Sequence, residues 1–186
     1  MNRLFSLLLA VFSLLLLLLP IILISIMVYF SSNGPIFYRS KRIGKNNLVF
    51  HMPKFRTMYL KTPEVATHLL QNPEVFLTPI GGFLRKTSLD ELPQIWSVII
   101  GDMNLVGPRP ALFNQEDLIL LRKENEVDSL TPGITGWAQV NGRDELSILD
   151  KVDFDIEYMR RRSFLFDIKI LWMTFSKIME RDGVSH

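Results

Sequence analysis

Two adjacent carboxylates, Asp90 and Glu91, stand in the run Ser88-Leu89-Asp90-Glu91-Leu92-Pro93-Gln94, with Arg85 just upstream. Acids at a helix start ordinarily complement the positive end of the dipole and face solvent. Here Pro93 falls in the first turn, where proline is tolerated, and fixes the helix start at the acidic pair. Two neighbouring carboxylates repel one another and invite a hard divalent cation with oxygen ligands, for which Mg2+ is the natural choice. Gly107-Pro108-Arg109-Pro110 is a second candidate. An arginine between two prolines has a stiff backbone, and its fork of donors matches a phosphate at two points; the same four residues also make a plain rigid turn. The third candidate, Pro132 to Arg143 (PGITGWAQVNGR), is a glycine-punctuated loop ending on an arginine. It is not a Walker-type loop, because no Gly-Lys-Ser/Thr follows.

Composition narrows the chemistry. The 186 residues contain no cysteine, which removes disulfides, thiolate nucleophiles and cysteine-bound zinc or iron–sulfur centres. The three histidines, His51, His68 and His186, are scattered, which argues against a histidine metal site or a histidine-based triad. Catalysis must therefore run on carboxylates, hydroxyls and cations. The net charge is only +2, yet Arg39, Lys41, Arg42, Lys45, Lys54, Arg56 and Lys61 follow one another with no acid between them. Such a patch suits anionic lipid headgroups, a phosphate-bearing substrate, or both.

The elements that must position these groups begin with an anchor. No charged side chain lies between Arg3 and Arg39, and residues 4–30 are almost wholly apolar. At about 1.5 Å per residue a straight helix over that stretch reaches about 40 Å, more than a bilayer's hydrocarbon core of about 30 Å. A cleaved signal peptide fits poorly, because the run is too long and no small-x-small site follows it. Pro20 removes one backbone hydrogen bond and crowds the Leu16 carbonyl, so a bend is expected, with Ser13 and Ser25 available to bond freed carbonyls. Basic residues flank both ends, so both read as cytoplasmic. A helix that enters, bends and returns satisfies those flanks; a single kinked spanning helix remains the simpler alternative.

Beyond the anchor, Ile36-Phe37-Tyr38 and Leu48-Val49-Phe50 flank a polar turn at 44–47 and predict a hairpin. Helices are predicted over 63–70, from a capping-box start at Ser88 to about residue 100, and over 114–126. In the last of these Leu118 and Leu121, with Phe113 or Leu120, are expected on the buried side. A final amphipathic helix is predicted over 153–180. Its stripe of Phe164, Ile168, Leu171, Trp172, Phe175, Ile178 and Met179 is expected to be core, although Trp172 and Arg160-Arg161-Arg162 also suit an interfacial membrane helix.

These motifs, in this order, resemble the bacterial sugar transferase family of small monotopic phosphoglycosyl transferases. The likeness runs through the proline-bent anchor, Lys41-Arg42-Ile43-Gly44, Lys54-Phe55-Arg56-Thr57-Met58, Asp90-Glu91, Gly101-Asp102-Met103, Gly107 to Pro110, and Pro132 to Arg143. Leu19 departs from the serine that family members often carry before the hinge proline. The resemblance implies an α+β, predominantly helical fold with a short β-hairpin, built as a re-entrant membrane anchor over 1–34 and a cytoplasmic catalytic domain over 35–186. It places the protein at the bacterial inner membrane, with the catalytic domain on the cytoplasmic face. It also implies transfer of a sugar phosphate from a UDP-sugar to undecaprenyl phosphate, releasing UMP, with an N-acetylated sugar as the family-level expectation. Asp90 matches the family nucleophile, forming an aspartyl-phosphosugar, and Glu91 the partner carboxylate that with Asp90 holds Mg2+. Lys54, Arg56, Arg85, Arg109 and Arg143 are the implied substrate-binding cations. The expected partners are membrane lipids and downstream glycosyltransferases of glycoconjugate assembly (O-antigen, capsule or glycoprotein glycan), with no nucleic acid. A membrane-bound phosphatase using Asp90 and a non-enzymatic lipid-binding scaffold are the alternatives.

Overall fold

The computed structural model describes residues 3–63, 70, 72–142 and 145–180. The helix expected over 63–70 lies almost entirely outside the described residues. The predicted fold class holds: helices predominate, with an antiparallel hairpin and a long apolar N-terminal helix.

Helix α1 (Arg3–Ser31) continues through Pro20 as one element. Ser25 donates to the Ile21 carbonyl at 2.7 Å, one turn back, and not to the Leu16 carbonyl that Pro20, having no N–H, cannot serve. One stripe of α1 is packed on the rest of the chain along its length, with Ser6, Ala10, Ile24 and Val28 buried. The opposite stripe, including Leu8, Phe12, Leu15, Leu19 and Leu23, is exposed. Arg3 donates to the carbonyls of Val98 and Ile99, so the first turn is tied to the same body as the last.

The hairpin pairs β1 (Phe37–Ile43) with β2 (Val49–Phe55), in register from Phe37 opposite Phe55 to Ile43 opposite Val49. The turn works because Asn46 and Asn47 take positive φ, which asparagine tolerates better than most residues. Alternation along β2 turns Phe50 and Met52 inward, and Phe55 is buried at its end. Burying side chains of this size contributes about 1.5–3 kcal/mol each.

After the hairpin come α2 (Gly81–Lys86), a 3-10 turn over Leu89–Gln94, and α3 (Ile95–Ile100). Sequence predicted one helix from a capping box at Ser88. Instead Ser88 is left-handed at φ 56° and makes no side-chain cap bond, and Pro93 lies in a tighter turn that only then widens into α3. Two three-residue strands, β3 (Asn104–Val106) and β4 (Gly133–Thr135), pair in parallel. The close approach there needs glycine, since a Cβ on Gly133 would overlap the backbone nitrogen of Gly107.

Helix α4 (Glu116–Glu124) is shorter than predicted. It buries Leu118 and half-buries Leu121, while Phe113 and Leu120 are exposed. After α5 (Trp137–Asn141) the expected single helix over 153–180 is two, α6 (Ile148–Arg161) and α7 (Phe164–Glu180). Arg162 leaves helical geometry, and Ser163 restarts the chain by accepting from the Phe166 amide. The core expectation for the α7 stripe is also overturned. Phe164, Ile168, Trp172, Phe175 and Ile178 are exposed, and α7 instead buries Phe166, Asp167 and Ile170. Only Leu171 of the stripe packs on the core, and the Met179 side chain lies outside the described residues. The main core gathers Met52, Val98, Met103, Val106, Trp137 and Ile170 and includes Ala10 of α1.

Candidate active site

The 3-10 turn is held between α2, the hairpin and α1, so its two acids are fixed to a packed body. Asp90 is 7 % exposed. Lys54 reaches across from β2 and donates to Glu91 Oε1 at 2.6 Å, with its Nζ 3.8 Å from Asp90 Oδ2. Arg109 Nη2 donates to the same Glu91 oxygen at 2.8 Å. Arg85, on α2, lies close enough to act on both carboxylates, and its Nη1 contacts Met58 Sδ at 3.7 Å. Three cations thus surround two carboxylates, leaving the site with an excess of positive charge suited to an anion.

The electrostatics separate the two acids. Burial pushes the Asp90 carboxyl up, and Lys54, Arg85 and Arg109 offset that only partly because the Glu91 charge adds to it. Burial presses Glu91 upward too, but Arg109 and Lys54 outweigh it through charge and hydrogen bonds and hold its carboxyl well below the usual range. Glu91 is therefore the fixed anion of the site and Asp90 the less satisfied one. Burial also pulls the Arg85 guanidinium down, against the attraction of Asp90 and Glu91.

The Arg109 turn is anchored through its carbonyls. Pro108 accepts from the Gly133 amide, Arg109 from Arg122 Nη1, Pro110 from Arg42 Nη1 and Ala111 from the Ile43 amide. Two prolines remove amide donors and four consecutive carbonyls are held, so the stiffness read from the sequence is realised.

Of the seven site residues expected from sequence, Asp90, Glu91, Lys54, Arg85 and Arg109 come together. Arg143 lies outside the described residues. Arg56 stands apart from them: it is buried, and its guanidinium donates to the Ser32 and Asn33 carbonyls and the Ser32 hydroxyl. Those bonds tie it to the segment that follows α1. Sequence reasoning missed Arg122 and its buried partner Asp155, which support the Arg109 turn from α4 and α6. Neither sits in a local motif.

Asp90 and Glu91 are adjacent oxygen donors, the ligand type that Mg2+ takes. Among the described residues no third acid, histidine or cysteine joins them. Mg2+ is commonly held by one or two carboxylates together with substrate phosphates and water, and Asp90 and Glu91 are the two carboxylates here that could serve it.

A model of the bacterial sugar transferase family matches residues 1–181. The chain is 42% identical over 162 residues to the UDP-glucose:undecaprenyl-phosphate glucose-1-phosphate transferase of Escherichia coli, covering 83% of this chain and 35% of that protein. It is 38% identical to the sugar transferase EpsL of Bacillus subtilis, covering 99% of this chain and 90% of the relative. To the undecaprenyl-phosphate galactose phosphotransferase of Salmonella typhimurium it is 37% identical over 81% of this chain and 34% of that protein. The chain thus spans about a third of the length of the Escherichia coli and Salmonella relatives and nearly all of the Bacillus one.

Proposed function

Because the chain belongs to the bacterial sugar transferase family, we propose that it transfers a sugar phosphate from a UDP-sugar to undecaprenyl phosphate, releasing UMP. The observation that carries this reading is the Asp90–Glu91 pair on a rigid turn, ringed by Lys54, Arg85 and Arg109. A carboxylate that attacks a diphosphate meets like charge, and these cations offset it. An Asp90 oxygen forms a bond to the phosphorus nearer the sugar, and the bond from that phosphorus to UMP breaks with the electron pair leaving on UMP. An oxygen of undecaprenyl phosphate then attacks the same phosphorus, which regenerates the Asp90 carboxylate and yields the lipid-linked sugar diphosphate. Lys54 and Arg109 orient Glu91 and draw the diphosphate in. Asp90 and Glu91 would hold Mg2+, which would supply further neutralisation of phosphate charge. The product class is the acceptor that glycosyltransferases extend in glycoconjugate assembly.

In this reading α1 is a re-entrant anchor and the catalytic body sits on the cytoplasmic face of the inner membrane. A helix whose first turn bonds α3, and whose last turns pack on Phe55 and Leu84 of the same body, is held on one side of the bilayer. The exposed α7 face continues that apolar surface, since Phe5 of α1 packs edge-on against Phe164. Membrane lipids therefore contact both helices, which favours the interfacial reading of α7.

The test is a UDP-sugar labelled in the sugar, given with polyprenyl phosphate and Mg2+, beginning with UDP-glucose and UDP-galactose and extending to N-acetylated sugars. Label is expected in the lipid fraction with release of UMP. Release of water-soluble sugar or sugar phosphate would make the protein a phosphatase, and no turnover of any UDP-sugar would leave a lipid-binding scaffold.

A further inference from the structure

We propose that the buried Arg122–Asp155 pair is the positioning device of Arg109, and that through it α4 and α6 set the grip of the site on the diphosphate. The proposal rests on the reading of Arg109 as a phosphate-binding residue. Arg122 places two donors, Nε and Nη2, on Asp155 Oδ2 at 3.0 and 2.7 Å, and spends its third, Nη1, on the Arg109 carbonyl at 2.8 Å. Asp155 is 1 % exposed and the Arg122 side chain 11 %, so the pair is a strut held largely inside the body.

The geometry makes the strut specific to one residue. Of the four carbonyls held in this turn, those of Pro108 and Ala111 are taken by backbone amides and that of Pro110 by Arg42. The Arg109 carbonyl is the one held by the guanidinium that pairs with Asp155. The Arg109 side chain leaves from the same backbone unit and ends on Glu91. A shift of that carbonyl is therefore a shift in where the guanidinium fork points, and a two-point phosphate contact tolerates little of it. Neither Arg122 nor Asp155 touches the carboxylates, so the two are positioning residues.

A purely structural pair would also cost stability on mutation, so the test must read Arg109 itself. Full-length protein carrying Asp90→Asn, which cannot turn over, is titrated with UDP by calorimetry in detergent. Arg109→Ala is expected to weaken UDP binding by about tenfold, the size of a lost charge-assisted contact. Arg122→Lys keeps the charge but loses the fork, and is expected to weaken binding about threefold to fivefold in the parent and by less than about 1.5-fold when Arg109 is already alanine. Asp155→Asn, which retains an acceptor for Arg122, should lie between parent and Arg122→Lys, giving a second variant should that one fail to fold. An equal loss in both backgrounds, or no loss in the parent, would overturn the positioning role and leave the phosphate role of Arg109 standing. No effect of Arg109→Ala itself would overturn both.

Discussion

Asp90 is pushed up by burial while Glu91 is held down by Arg109 and Lys54, so in the proposed reaction the two neighbours would divide the work of attack and anchorage. A protonated Asp90 cannot attack phosphorus, so the first half-reaction should be lost as pH falls through its raised pKa. Lys54 pulls that pKa down. Lys54→Gln should therefore move the acid limb of UMP-for-UDP-sugar exchange to higher pH, as well as slowing it. An unmoved limb would mean that another group sets it. Asp90→Asn should abolish turnover, by at least about 1,000-fold, because an amide is not a competent nucleophile. Stability should go the other way. A carboxyl whose folded pKa is raised favours the protonated form in the folded state, so at neutral pH its ionisation works against folding. The neutral Asn variant should melt at the same temperature or higher, and a markedly lower melting point would contradict the burial argument.

At the scale of elements, the junction between anchor and body hangs on Gly34, at φ +127°, where a Cβ would overlap Arg56 Nη1. Gly34→Ala combines backbone strain with loss of the Arg56 bonds to Ser32 and Asn33. It should cost about 1–3 kcal/mol and open the 31–36 segment to proteases while leaving the hairpin protected. The α7 face gives a second prediction. With brominated lipids in the bilayer, Trp172 should supply most of the lipid-dependent fluorescence quenching, and Trp172→Phe should remove it; undiminished quenching would place that face away from lipid. What could be read in advance follows the same elements. The hairpin was legible because a polar Gly-Lys-Asn-Asn turn separates two apolar runs, whereas β3 and β4, three residues each, carry no period. The break at Arg162-Ser163 contains neither glycine nor proline. The period of α7 revealed an amphipathic helix but not which side faced inward, because Phe166 and Ile170 balance Ile168, Trp172 and Phe175. Asp90, Glu91, Lys54, Arg85 and Arg109 sit in recognisable motifs. Arg122 and Asp155 do not, and their pairing exists only once α4 lies on α6.

For the whole molecule, the proposed reaction would have one charged site serve a water-soluble donor and a membrane-bound acceptor in turn. If Asp90 carries the sugar phosphate between them, UMP must leave before the acceptor reacts. Double-reciprocal plots at several acceptor concentrations should then be parallel, and labelled UMP should enter UDP-sugar with no acceptor present. Converging lines without exchange would assign Asp90 to a direct transfer within a ternary complex.

The bonds from Arg3 to the Val98 and Ile99 carbonyls close a loop of 95 residues. At about 5–20 residues per second, Val98 is synthesised roughly 5–20 s after Arg3. Throughout that interval the carbonyls that hold the first turn of α1 do not yet exist, and its apolar stripe is open to whatever surrounds it. If α1 is the membrane anchor proposed above, the bilayer would meet it before the rest of the body is made. The body would then work as a latch, taking hold of the first turn of α1 only once α3 has been made, about halfway along the chain.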